Sequence, residues 1–235
     1  MSGHSKWSTI KRQKGVADAK RGAVFTKIGN QIAIAARGGT DPKMNPSLAL
    51  AIEKGKQANM PMTNIERAIA RVADKSAADL KEVMYEAYGP GGVGIIIEAA
   101  TDNINRTLPE VRTALTKNGG NMAESGAVAF AFARKGVIHV EASGEEALLT
   151  ILDAGAEDAV EDDEEIVVYS DPKSLSEVRQ KIIDAGLKVS DAGLEYVPND
   201  KITPEDEEKH GKIIKLLEAL DDLDDVVNVF TNSDV

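Results

Sequence analysis

The 235-residue chain contains no cysteine, which excludes a disulfide scaffold, a thiol nucleophile and any thiolate metal site. Only three histidines occur, His4, His139 and His210, and none forms an H-x-x-x-H pair, so no metal centre is expected. No apolar run approaches the ~20 residues that a spanning helix needs. The polar, basic N-terminus lacks the apolar stretch of a signal peptide, and Ser2 breaks the myristoylation pattern. No membrane association and a cytoplasmic location are therefore expected.

Signatures of common catalysts are missing as well. No G-K-[ST] follows a glycine-rich loop, no G-x-S-x-G elbow occurs, and no carboxylate pair stands out from the general acidic excess. The reading is a non-enzyme with no catalytic residues, no cofactor and no small-molecule substrate.

What is present is a soluble, globular balance of 42% hydrophobic and 29% charged residues, in a length that suits two or three compact units. The net charge of −11 argues at first against nucleic acid, but its distribution reverses that. Residues 1–75 hold 14 Lys/Arg and 5 Asp/Glu, a balance of +9, and the remaining 160 residues carry −20. Such a split lets one end neutralise phosphates while the rest repels them and restricts docking.

The sharpest chemistry lies in the N-terminal arm. Lys6, Lys11, Arg12, Lys14, Lys20, Arg21 and Lys27 stand against Asp18 alone. These seven cations are the expected phosphate contacts. Trp7 has two readings, a platform for an unpaired base or a hydrophobic latch onto the helices that follow.

Apolar spacing over Ala17–Arg37 predicts a helix ended by Gly38-Gly39. Asn45-Pro46 opens a second helix, and Thr63-Asn64-Ile65-Glu66 has the capping-box form of a third. On the third, Arg67 and Arg71 fall i, i+4 opposite the apolar face and would extend the basic patch. Beyond it, Val93–Glu98, Val128–Ala133, Val137–Glu141, Ile166–Tyr169, Leu194–Val197 and Val226–Phe230 read as strands. Helices are expected from the capping box Thr107–Glu110, at Ala147–Ala154 and Leu175–Ala185, and after Thr203-Pro204-Glu205.

The resulting fold class is α plus α/β: a three-helix domain, then two α/β domains, one ferredoxin-like with the other inserted in it. The expected boundaries are 1–79 for the arm and helices, 80–141 with 205–235 for the ferredoxin-like domain, and 142–204 for the acidic insertion.

Three further motifs favour structural roles. Gly89-Pro90-Gly91-Gly92 precedes a strand, whereas a phosphate loop follows one, so a tight turn is expected. Asp102-Asn103 suits a turn, with Thr107 as the helix cap and Arg106 as a candidate second basic patch. The acid-rich stretches 153–165 and 205–225 lack the spacing of a calcium loop and read as solvated surface.

Gly3-His4-Ser5-Lys6-Trp7, Asp18-Ala19-Lys20-Arg21-Gly22, Phe25-Thr26-Lys27, Asn59-Met60-Pro61, Tyr88-Gly89-Pro90-Gly91-Gly92 and Thr101–Thr107 together resemble the YebC family of transcriptional regulatory proteins. The resemblance spans essentially the whole chain. It implies three domains, no enzymatic activity and a role in gene expression, either as a DNA-binding regulator or as a ribosome-associated translation factor that binds ribosomal or transfer RNA and eases proline-rich synthesis. Leu48-Ala49 stands where relatives usually have Leu-Arg, which removes one cation from the second helix. A monomer with nucleic acid as its partner is expected.

Overall fold

The structure, a computed structural model, describes residues 21–72, 80–162 and 165–234. The chain divides at Phe132 and Asp200, the segment between them forming a compact unit of its own.

The larger unit begins with α1 (Arg21–Ala35), α2 (Pro46–Gln57) and α3 (Met62–Ala70). Their apolar stripes meet in a core of Ile32, Leu48 and Ile65, each with no exposure, joined by Phe25 and Ile28. Burial of side chains this size stabilises by about 1.5–3 kcal/mol apiece. Asn45 joins two helix ends: its side-chain oxygen accepts from the Leu48 amide, and its Nδ2 donates to the Ala35 and Gly39 carbonyls.

The outer sheet follows, with β1 (Lys81–Tyr88), β2 (Gly94–Thr101), β3 (Asn121–Met122) and β8 (Val226–Thr231) in the antiparallel order β3-β1-β2-β8. Tyr85, Ala87, Ile95, Ile97 and Ala99 alternate onto one face. Val111 and Leu115 of α4 (Ile104–Lys117) and Ile213, Leu216, Leu217 and Leu220 of α7 (Glu207–Asp221) cover that face.

The second unit contains β4 (Phe132–Val140), α5 (Glu145–Asp153), β5 (Asp158–Asp162), β6 (Glu165–Ser170), α6 (Leu175–Asp184) and β7 (Val189–Pro198). Its sheet order is β5-β6-β4-β7, all antiparallel, which with the β-α-β-β-α-β chain order is the ferredoxin-like arrangement. Gly136 of β4 sits under Leu175, where an added Cβ would lie 2.9 Å from the Leu175 Cβ and against the Ser170 hydroxyl. Gly136→Ala should therefore cost about 1–3 kcal/mol by overpacking. An unchanged thermal midpoint would contradict this packing.

A helical segment followed by two mixed units of sheet and helix is the expected fold class, with particular differences. The sequence pattern places the 137–141 strand in the outer domain, yet β4 pairs with β6 and β7 of the insertion. The ferredoxin-like chain order accordingly belongs to the inserted unit. The outer sheet instead opens with the hairpin β1–β2, whose first strand carries no clear sequence signal. Residues 129–131 form a short 3-10 turn in place of the expected strand. Asn103, rather than Thr107, caps α4, and Asp206 caps α7 two residues after Pro204. No side chain among the described residues caps α3, so Thr63 does not form its capping box.

Candidate nucleic-acid interface

Lys6, Trp7, Lys11, Arg12, Lys14 and Lys20 lie outside the described residues, as does the side chain of Arg21. The remaining candidates divide into exposed cations and cations engaged in holding the fold. Arg67 is exposed on α3 and forms no ion pair among the described residues. Lys43, before α2, and Lys56, near its end, share that state and are absent from the sequence-based candidates. Their signal is present in the +9 balance, but charge counting alone does not tell exposed lysines from engaged ones.

Lys27 is engaged. Its side chain is only 13% exposed, its ammonium donates to the Asp221 carbonyl, and the Asp221 carboxylate lies 3.8 Å away. The helical stripe puts Lys27 on a flank, and α7 supplies an acid on that flank, so this cation anchors α1 to the outer sheet's helix and is not free for phosphate. Arg71 is turned inward as well, donating to the Asn30 side chain at 3.2 Å, and Asn30 in turn reaches the Ala100 carbonyl. Arg37 donates to the Leu80 carbonyl.

Arg106, the candidate second patch, is the outer half of a lock. Its guanidinium donates to both Asp225 oxygens, at 3.0 and 2.8 Å, and to Asp102 at 3.2 Å. Thr101 and Thr107 hydroxyls lie 3.0 and 2.6 Å from the same Asp225 carboxylate. Thr107 is thus one turn inside α4, facing the carboxylate instead of capping the helix. Burial pushes the Asp225 carboxyl up, but the bonds from Thr107, Arg106 and Thr101, with the Arg106 charge, outweigh it and hold it below the usual carboxylate range. The Arg106 charge is largely spent on this pairing.

The Gly89–Gly92 cluster forms the turn of the β1–β2 hairpin, closed by Gly89 N–H to the Val93 carbonyl at 2.8 Å. Beside it lies a second buried carboxylate. Glu86 is 3% exposed, and its oxygens accept the Gly126, Val128 and Ala129 amides at 2.6, 2.6 and 2.7 Å. Burial raises this carboxyl, and the three amide bonds more than reverse that, leaving it below its ordinary value.

Both acids have folded pKa values below their unfolded ones, so the unfolded chain binds more protons and stability rises with pH. Their contribution is complete well above the unfolded values of about 4 and declines as pH falls through the folded ones. The thermal midpoint should hold from neutrality to about pH 5 and fall below it. Asp225→Asn should start lower at neutral pH and fall less on acidification; parallel curves would contradict the role of Asp225.

Charge separates strongly along the chain. Residues 132–200 hold six Lys/Arg against seventeen Asp/Glu, a balance of −11, so the other residues sum to zero despite the +9 of residues 1–75. No helix among the described residues is long and apolar enough to cross a membrane.

Comparison with known proteins gives a consistent result. The family model described as the TACO1/YebC protein N-terminal domain matches residues 5–75, and that of the TACO1/YebC second and third domain matches residues 80–233. A protein of Trichlorobacter lovleyi named "Probable transcriptional regulatory protein" is 47% identical, over all of this chain and 96% of its own. A Salinispora tropica protein of the same name is 48% identical over the same shares. The crystal structure of a conserved hypothetical protein, Aq1575 of Aquifex aeolicus, superposes with a TM-score of 0.90 at 43% identity, covering 97% of this chain and 96% of that one. With family models covering nearly its whole length and relatives aligned end to end, the chain belongs to the TACO1/YebC family.

Proposed function

We propose that this protein is a non-enzymatic regulator of gene expression that binds nucleic acid through its basic N-terminal end, as a DNA-binding transcriptional regulator. One observation carries the reading: residues 1–75 hold +9 while residues 132–200 hold −11. A cationic end supplies affinity by releasing counterions, and an anionic unit resists binding in other orientations. The name shared by the relatives supports the regulatory role.

Lys6, Lys11, Arg12, Lys14, Lys20 and Arg21 are the proposed phosphate-binding residues, Trp7 the proposed stacking residue, and Arg67, with Lys43 and Lys56, the extension of the patch. Lys27, Arg71 and Arg106 drop out because their side chains are engaged within the fold.

A second reading, a translation factor binding ribosomal or transfer RNA, is favoured by a different observation. The described helices show no helix-turn-helix pair with a cationic reading helix: α3 carries Arg67 alone exposed, and Arg71 faces α1. Crosslinking the tagged protein in cells and sequencing the recovered DNA and RNA in parallel separates the two. Discrete promoter peaks with background RNA support the transcriptional regulator. Crosslinks concentrated in ribosomal or transfer RNA replace it with the translation factor, and recovery of neither overturns nucleic-acid binding.

A further inference from the structure

Nine aromatic residues occur in the chain, and most of those described are packed away. Two are not. Phe130 is 78% exposed and Tyr88 is 41% exposed. A single exposed ring needs no explanation, but Phe130 stands on a loop that Tyr88, at the end of β1, and a second group hold in place. The buried Glu86 carboxylate gathers three neighbouring amides, including that of Ala129, the residue before Phe130. The Tyr88 hydroxyl donates to the Ala127 carbonyl at 2.9 Å, and Val128, 2% exposed, packs over Gly94. A buried carboxylate carries a desolvation penalty, and here its bonds fix a surface loop rather than a core element. The outcome is an aromatic ring displayed on a loop whose backbone has little freedom left to give up on binding.

The surroundings say what kind of partner this suits. Residues 118–133 contain one charged residue, Glu124, and the neighbouring turn 89–92 contains none. Gly91, Gly92 and Gly126 have positive φ angles and open space where a side chain would stand, which leaves the loop's flank uncluttered. Two exposed cations stand on the helices that border the 89–92 turn. Lys117 ends α4, two residues before Gly119, which lies against Pro90. Lys215 precedes Leu216, whose side chain borders Gly89 and Gly120. Neither lysine forms an ion pair among the described residues. One or two rings with nearby cations match a single base and its phosphates; a stable protein interface needs about 800 Å² per partner.

We infer that the 123–131 loop is a second nucleic-acid contact, at which the Phe130 ring, flanked by Tyr88, stacks on an unpaired base. This deepens the nucleic-acid reading above and rests on it: the basic end would supply charge neutralisation, and Phe130 would supply selectivity for single strands over duplex.

The test measures affinity of the full chain for a labelled single-stranded RNA of about 12 nucleotides, and for a duplex of equal length, near 0.1 M salt. Phe130→Ala should weaken single-strand binding about tenfold, leave duplex binding within about twofold, and leave the salt slope unchanged, because Phe130 neutralises no phosphate. Phe130→Tyr should restore the affinity, and an unchanged thermal midpoint in both variants excludes misfolding. Equal single-strand affinity of Phe130→Ala and the unaltered chain overturns the inference. A Lys11→Glu/Arg12→Glu/Lys20→Glu variant run alongside separates the two readings: if it abolishes binding while Phe130→Ala keeps it, only this inference fails. If neither variant weakens binding, the basic-end reading fails with it.

Discussion

Replacing Lys11, Arg12 and Lys20 together with Glu should abolish measurable nucleic-acid binding while the thermal midpoint stays nearly constant. The three changes move residues 1–75 from +9 to +3, and they do so where cations are most concentrated. Each phosphate that is no longer neutralised lowers the slope of log affinity against log salt by about 0.9 for duplex DNA or about 0.7 for a single strand. With three phosphates deprived of a cation and each set against a carboxylate, binding should weaken by more than about 100-fold near 0.1 M salt. The midpoint is expected to hold because the described core of the helical segment, Ile32, Leu48 and Ile65, involves none of these residues. Unchanged affinity at fixed salt would remove the basic arm from the interface.

The largest effect on stability is expected at Glu86. Glu86→Ala leaves the Gly126, Val128 and Ala129 amides without their acceptor, and Val128 is too buried for water to replace it freely. Hydrogen bonds to a charged group contribute roughly 1.5–3 kcal/mol each, so after partial rehydration of the other two a net destabilisation of about 3 kcal/mol is expected. For a chain of this size that is roughly a 10 °C fall in midpoint. Amide exchange should accelerate first in residues 123–131. A destabilisation spread evenly over the whole chain, with no local acceleration, would show that the carboxylate does not serve this loop in particular.

Particular residues show what is legible in the sequence and what is hidden. Asn45-Pro46 predicts the start of α2 because an Asn side chain at that position satisfies a free helical amide, and it does so at Leu48. The hairpin turn is readable because only glycine takes the positive φ values found at Gly91 and Gly92 without strain. Strand β5 is hidden because Asp158, Glu161 and Asp162 are poor strand formers, and it exists by pairing with β6 at the edge of its sheet. Acidic side chains at such an edge also discourage pairing with another chain.

Long-range partners are what local sequence conceals most. Nothing local distinguishes Lys27 from Lys56, yet one meets Asp221, distant in sequence, and the other stays exposed. The pattern around Thr107 fits a helix cap, while its actual partner, Asp225, is 118 residues away. Glu86 carries no local signal at all, since a lone Glu in a half-polar strand ordinarily faces solvent.

The inserted unit enters through Phe132 and leaves through Pro198, and these two residues are paired neighbours in its sheet. An excursion whose ends already meet behaves, for the rest of the chain, as a short tether. Strands β2 and β8 of the outer sheet must find each other across residues 102–225, a stretch in which 132–200 make up more than half. If the inserted unit folds first, the effective tether shrinks to about 55 residues, which lowers the closure entropy by only about 0.7 kcal/mol. Polymer statistics thus make the insertion nearly neutral to the sheet that hosts it, and a chain can acquire such a module without redesigning its host.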